Sequence, residues 1–439
     1  MLTGRTIFQS VVWRGLYYAT AFIINILIAR HFQASASGAI YYLSSIYALI
    51  VLFTSLSLES GIIYFSAREE IPVNKLLNFS LAWSLLAGAI IFSAGFVFFP
   101  DVYHQISRPF LIFSAVCFIF GNLLTTYCSG FFYARRNFIV PNLVNIICTV
   151  CLIIVLPYGG KSLVFSITND NYFYIYFGSF LLQGILLAFA AGAKYVRGGL
   201  KVFLSVSEFK LLFRYCLLAF SGNILYFLLY RVDYWFVAKY CSPEQLGNYI
   251  QVSKLVQLFF ILPTILASAV FPITAEGKKE NISQLLTLLS RIIFFAYLLA
   301  CIFLAMAGQW LFPFVFGESF SGMYQPFLLL IPGILSLSGL FTLTAYFAGK
   351  NQISTNIIGS VYALLIILAG DMFFIPRYGI KAAALVSSVG YMVYQAYVIV
   401  IFKKEFKIGL DRFFLVRTTD FVAIKKGLIE SIKNAPSVS

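Results

Sequence analysis

Charge is scarce in this chain. Only 11% of its 439 residues are Asp, Glu, Lys or Arg, against about 25% in a soluble domain. Polar linkers of the kind that divide a soluble protein of this length into two or three domains are missing too. Histidine is limited to His31 and His104; with no HExxH and no Cys/His cluster, no metal site is expected. All seven cysteines (117, 128, 148, 151, 216, 241 and 301) fall in or beside apolar runs. Cys148 and Cys151 form a CxxC, but it lies inside NIICTVCLIIVLP with no partner pair, so packing is its expected role. No GxxxxGK[ST] is present for a P-loop, and GESFSG (317–322) has the wrong spacing for a nucleophile elbow. The longest expected outer connections, 158–171 and 308–322, are too short to carry a loop-borne active site. An enzyme is therefore not expected, and no cofactor is called for.

What the chain has is hydrophobicity: 61% apolar residues and a mean hydropathy of +0.91. Runs near 20 residues, long enough to cross a hydrocarbon core of about 30 Å, recur from end to end. The fold class is all-α, a polytopic membrane protein with about 12 transmembrane helices. The spans read as 7–29, 39–66, 76–99, 109–133, 139–157, 172–193, 209–239, 245–272, 284–308, 323–348, 353–375 and 380–402. The N-terminus lacks a short signal-peptide core with a cleavage site, so the first span is expected to be retained. The basic tail, 403–439, has apolar residues at near-helical spacing, which predicts a helix on the anionic inner leaflet.

The basic residues set the orientation. With the N-terminus in the cytoplasm, 22 of the 31 Lys and Arg fall on that side, six fall on the other, and Arg14, Arg231 and Lys254 stay within spans. Both termini are expected in the cytoplasm. The net charge of +15 then reflects topology and inner-leaflet contact, and nucleic acid is not an expected partner.

The chain also repeats itself. ARHFQASASGAIYYLS (29–44) aligns without gaps on AKYCSPEQLGNYIQVS (238–253), matching Ala29/Ala238, Arg30/Lys239, Gly38/Gly247 and Ser44/Ser253. FYARRNFIVPN (132–142) echoes YFAGKNQISTN (346–356), with Ala134/Ala348, Asn137/Asn351 and Asn142/Asn356 aligned. LPYGG (156–160) echoes IPRYG (375–379) more weakly. The order is preserved, which predicts two parallel-repeat six-helix bundles around a central cavity. The expected domains are 1–193, a linker at 194–208, 209–402, and the tail.

Charges inside spans mark the candidate site, since each costs about 2.5–3.5 kcal/mol at a helix centre. Arg14, Tyr18 and Asn25 share one helix face, as do Asn223, Tyr226, Tyr230 and Asp233. Arg231 lies two positions from Asp233, too far round the helix for the two to pair. Glu59 and Lys254 complete the set. Either these residues snorkel or pair between helices, or they line an aqueous cavity. Glu59 has Arg68 as its candidate structural partner. The two carboxylates counted within spans are Glu59 and Asp233, so the cavity is expected to be mildly cationic and Tyr-rich. That suits an anionic, sugar-bearing cargo, with arginine holding phosphate in a fork. Asp233, and secondarily Glu59, are the candidates for coupling to H+ or Na+.

These residues resemble a known family. ASASGAIYYL (34–43), LESGIIYFSARE (58–69), RVDYWFVAKYCSPEQLGNYIQVSKL (231–255) and ASAVFPITAE (267–276) look like the polysaccharide (O-antigen unit) flippases of the MOP superfamily, relatives of MATE exporters and lipid II flippases. The resemblance spans residues 1–402. It implies alternating-access translocation of an undecaprenyl-diphosphate-linked oligosaccharide, for O-antigen or another surface polysaccharide, across the bacterial inner membrane. It carries over Asp233, Lys254, Glu59 and Arg14 as cavity positions. It implies membrane lipids and the polysaccharide polymerase machinery as partners, and a monomer. A MATE-like drug or metabolite exporter should prefer acidic cavity residues. Lipid II flippases usually have fourteen spans against twelve here. A membrane glycan polymerase or ligase is the remaining alternative.

Overall fold

A computed structural model describes residues 4–98, 102–103, 106–158, 171–195, 204–275, 282–409 and 411–414. In lipid, a backbone without water partners must bond to itself, and long apolar runs do so as helices. The first half of the chain forms α1 (Gly4–Ser55), α2 (Leu58–Arg68), α3 (Val73–Phe98), α4 (Arg108–Ala134), α5 (Ile139–Val155) and α6 (Asn171–Tyr195). Then come α7 (Val206–Arg231), α8 (Asp233–Tyr240), α9 (Pro243–Leu258), α10 (Ile261–Ala275) and α11 (Ile282–Phe316). The last are α12 (Tyr324–Gly349), α13 (Ile353–Tyr378), α14 (Ile380–Phe406) and the short α15 (Asp411–Phe414). Among the described residues the only strands are Val102–Tyr103 and Ile106–Ser107, paired antiparallel.

Among the described residues ten helices are long and apolar enough to cross a membrane, and Ile139–Val155 is a shorter apolar one. The first of the ten holds two expected spans in one, kinked at Gln33 (φ 63, ψ 178). The second expected span, 39–66, is not continuous: Leu56 and Ser57 turn left-handed (φ 47 and 57), and α2 starts afresh. The seventh is interrupted at Val232. Its backbone stays helical there (φ −64, ψ −34). However, the Tyr234 amide turns to the Asp233 carboxylate at 2.9 Å, and the Trp235 amide bonds only three residues back, to Val232. Arg291 is buried inside α11. Of the tail, α15 docks through buried Phe413 and through Phe414, whose ring lies 5.2 Å from Phe294. The remainder of the expected tail helix, 415–439, lies outside the described residues.

The helices form two compact units. One comprises Met1–Arg231, Ser242–Ile250 and Pro313–Phe320; the other comprises Val232–Cys241, Gln251–Phe312 and Ser321–Ser439. Within the first unit α4 lies on α6, where a Cβ on Gly121 would come within 2.3 Å of the Phe180 carbonyl. Small residues of this kind let helix backbones touch in a membrane.

The first unit contains two contrasting seams. At one end, Gly38 and Gly247, which the repeat equates, pack backbone to backbone. A Cβ on Gly38 would fall 2.4 Å from the Gly247 Cα, and one on Gly247 would fall 1.9 Å from the Ala34 carbonyl oxygen. The Ala34 amide donates to Ser319 Oγ at 3.0 Å, and Asn248 Nδ2 donates to the Ser319 carbonyl at 2.9 Å. At the other end, α7 meets α2 and α3 through side chains. Tyr64 and Tyr215 stack at 4.6 Å, Phe79 and Phe209 meet edge to face, and Lys75 Nζ lies 2.9 Å from Glu208 Oε1.

The structure shifts the second sequence echo by one residue. Helix α4 closes with Asn137 N bonding to the Phe132 carbonyl and Arg136 N to Tyr133; α12 closes with Gln352 N bonding to Phe347 and Asn351 N to Ala348. The left-handed residues are Arg136 (φ 59) and Asn351 (φ 61). The backbone thus equates Arg135 with Lys350 and Arg136 with Asn351, one position from the Asn137/Asn351 match read in the sequence. The left-handed residue that ends a helix in this way fixes the correspondence more firmly than the letters do.

Candidate functional site

The α1 face predicted from spacing is built against the α4–α5 connection. Tyr133 and Phe138 stack there at 5.6 Å with 25° between their planes. The Arg14 guanidinium carbon lies 5.3 Å from each ring centroid. An exposed cation over an aromatic face gains about 0.5–1 kcal/mol, and Arg14 needs no buried carboxylate to hold it there. One turn on, Tyr18 is half exposed, with its ring 5.6 Å from Tyr17. Asn25 offers its carbonyl to the Tyr41 hydroxyl at 3.4 Å. Tyr226 of α7 lies within electrostatic reach of Tyr18 and of Arg231. Its ring packs on Tyr230 at 4.7 Å, and the Arg231 guanidinium sits 5.3 Å from the Phe227 centroid. In the first unit the structure thus seats Arg14 on Tyr133 and Phe138, with Tyr18 within electrostatic reach of both Tyr133 and Tyr226, and Arg231 within reach of Tyr226. Asn223 is turned instead to Ser57, donating to its hydroxyl at 2.9 Å.

Asp233 stands apart from that group. Interruption of the helix at Val232 puts it at the first position of α8, buried, where α8 packs against α13 and α14 of the second unit. Its Oδ1 accepts from the Tyr234 amide at 2.9 Å and its Oδ2 from the Ser387 hydroxyl at 3.2 Å. Facing it electrostatically is Asp371 of α13. Asp371 is fully buried, and neither of its carboxylate oxygens has a hydrogen-bond partner. The count of two carboxylates within spans is thereby corrected to three. Even a single buried charge costs several kcal/mol, so the Asp371 carboxylate, unbonded beside a second carboxylate, calls for a proton or a cation. The two carboxylates and the Ser387 hydroxyl offer oxygens, which suit a proton or a hard cation.

Glu59 does not meet Arg68. Arg68 pairs with Glu70 at 3.3 Å and contacts the Tyr64 hydroxyl. Glu59 sits in the first turn of α2 with Oε2 buried and without a hydrogen-bond partner. Lys254 is half-buried on α9, in the second unit. Among the described residues no group of three or more His, Cys, Asp or Glu could hold a metal.

A family profile described as polysaccharide biosynthesis protein matches residues 26–325. A search of curated proteins found no match. Among solved structures, the chain is similar to a lipid II flippase MurJ in an inward closed conformation, at 15% identity and a TM-score of 0.72, covering 97% of this chain and 98% of that one. It is also similar to an inward-facing multidrug resistance MATE transporter of the MOP superfamily, at 15% identity and a TM-score of 0.66, covering 89% and 94%. A MOP superfamily transporter from Pyrococcus furiosus gives 15% identity and a TM-score of 0.62, covering 91% and 95%. These neighbours are described as transporters or flippases, and at such identity they establish the fold. A profile match across most of the chain shows that the chain belongs to the polysaccharide biosynthesis protein family, on a fold shared with those transporters.

Proposed function

We propose that the chain is a flippase that moves an undecaprenyl-diphosphate-linked oligosaccharide, an O-antigen or other surface polysaccharide unit, across the bacterial inner membrane by alternating access. Both termini lie in the cytoplasm. The observation that carries this reading is Arg14, held over Tyr133 and Phe138 with Tyr18 one turn on. A guanidinium on an aromatic platform offers a planar fork to phosphate, and the neighbouring tyrosines offer faces and hydroxyls to sugars.

Asp233 and Asp371 supply the coupling. Neutralising the pair with a proton or sodium ion favours one conformation over the other, and only such differential affinity drives a cycle. A lipid II flippase is the second reading, favoured by the similarity to that fold over both full lengths. Its cargo also carries a lipid diphosphate.

The test is flipping of lipid-linked glycan in proteoliposomes with imposed proton and sodium gradients, beside mass spectrometry of lipid-linked glycans in a deletion strain. Arg14→Ala should lose most transport at normal abundance, and Arg14→Lys should recover part of it. Asp233→Asn should bind cargo yet ignore the gradient. Normal export by Arg14→Ala would sink the cargo reading. Identical gradient responses in wild type and Asp233→Asn would sink the coupling. Accumulation of lipid II alone would favour the second reading.

A further inference from the structure

The turn that ends α4 and the turn that ends α12 share one backbone but have opposite charge complements. In the second, Lys350 meets Glu405 of α14 as an ion pair, and the Tyr346 hydroxyl donates to the same carboxylate at 2.7 Å. In the first, the equivalent cation is Arg135, and the helix beside it brings Lys194 instead of an acid. Both cations lie on one ring: Arg135 Cζ is 4.6 Å and Lys194 Nζ 5.7 Å from the Tyr195 centroid. Lys194 is also 5.7 Å from the Phe132 centroid. Among the described residues neither cation pairs with a carboxylate, and Ser66 is a long 3.4 Å from Arg135. The Tyr195 hydroxyl is buried and makes no hydrogen bond.

Helix C-termini do favour positive charge, but that holds equally for Lys350, which still carries its carboxylate. We propose that the Arg135–Lys194–Tyr195 cluster binds the phosphate of an anionic phospholipid. A lipid fits better than a soluble ion because α6 exposes Leu182, Leu186 and Phe189 at spacings of four and three, an apolar strip on the same helix as Lys194. That strip accepts acyl chains while the cations hold the headgroup. The site uses a different ring from Arg14: Tyr133 and Phe138 lie under Arg14, and Phe132 lies near Lys194. It does not depend on the cargo proposed above.

The test is native mass spectrometry of the full chain titrated with phosphatidylglycerol or phosphatidylcholine. Wild type should retain phosphatidylglycerol preferentially. Arg135→Gln and Lys194→Gln should each weaken that preference about fivefold, the worth of one cation near a membrane surface. The double variant should abolish it, while Lys350→Gln, whose cation is already paired, should leave it intact. An unchanged preference in the single variants overturns the proposal, so it remains testable if the double variant does not fold. Equal retention of phosphatidylcholine by wild type also overturns it. Displacement of the lipid by an equal concentration of inorganic phosphate would reassign the site to a soluble anion and overturn the lipid assignment.

Discussion

The two seams of the first unit close by different means. At the Gly38–Gly247 seam, backbone touches backbone and the hydrogen bonds run to main-chain atoms of Ala34 and Ser319. Where α7 meets α2 and α3, the contacts are side chains: a tyrosine stack, an edge-to-face phenylalanine pair and an ion pair. A backbone seam has no slack, because no rotamer can retract a main-chain atom. A side-chain seam can open and close, since each partner turns into water or lipid on release. With the termini in the cytoplasm, as proposed, the rigid seam lies at the outer end and the adjustable one at the cytoplasmic end. The two ends should therefore differ in how much alteration they tolerate.

The sharpest contrast comes from Gly247→Val. Overpacking a tight contact costs about 1–3 kcal/mol, and the clash here is with the Ala34 backbone, so the loss should be at or above the top of that range. Thermal denaturation in detergent should show a markedly lower midpoint together with lost transport. A wild-type midpoint would mean the glycine contact is not structural. Tyr215→Ala should act less strongly, removing a ring pair worth about 0.5–1.5 kcal/mol. Its clearer effect should be on Cys216, which is buried close against Gly61. With Cys216 as the sole cysteine, maleimide labelling should accelerate, and an unchanged rate would rule out α7 release as the motion. The smallest effect belongs to the ion pair. Lys75→Glu should speed labelling only slightly, the Lys75→Glu/Glu208→Lys exchange should restore it, and added salt should mimic the single variant. If the exchange labels as fast as the single variant, the pair does not latch the seam.

Much of this architecture was legible in the spacing of apolar residues. Gly38 and Gly247 were singled out by the repeat before any contact was visible, and Arg14 and Tyr18 by their helical face. The breaks were not legible. Gln33, Leu56 and Ser57 bend the chain without proline or glycine, and no propensity argument marks such residues. Val232 gave no signal either, because its own dihedrals are helical and only the diverted Tyr234 amide reveals the interruption. Asp371 was a different failure. It stands alone in LAGDMFFIP, and the reasoning that picked out Asp233 applied to it equally; only its place near a span end disguised it. Its partnership with Asp233 joins positions far apart in the chain, which no local pattern encodes.

The interruption at Val232 also has a mechanical side. Glu208 and Val232 are separated by about 36 Å of helix at 1.5 Å per residue. A turn of about 10° at Val232 would swing Glu208 through about 6 Å, roughly twice its 2.9 Å separation from Lys75. The Asp233 carboxylate holds the amide of Tyr234 at that interruption. On the proposed coupling, a proton's worth of change at that point would be amplified at the tip of a long arm, where a bond of modest strength is all that has to give.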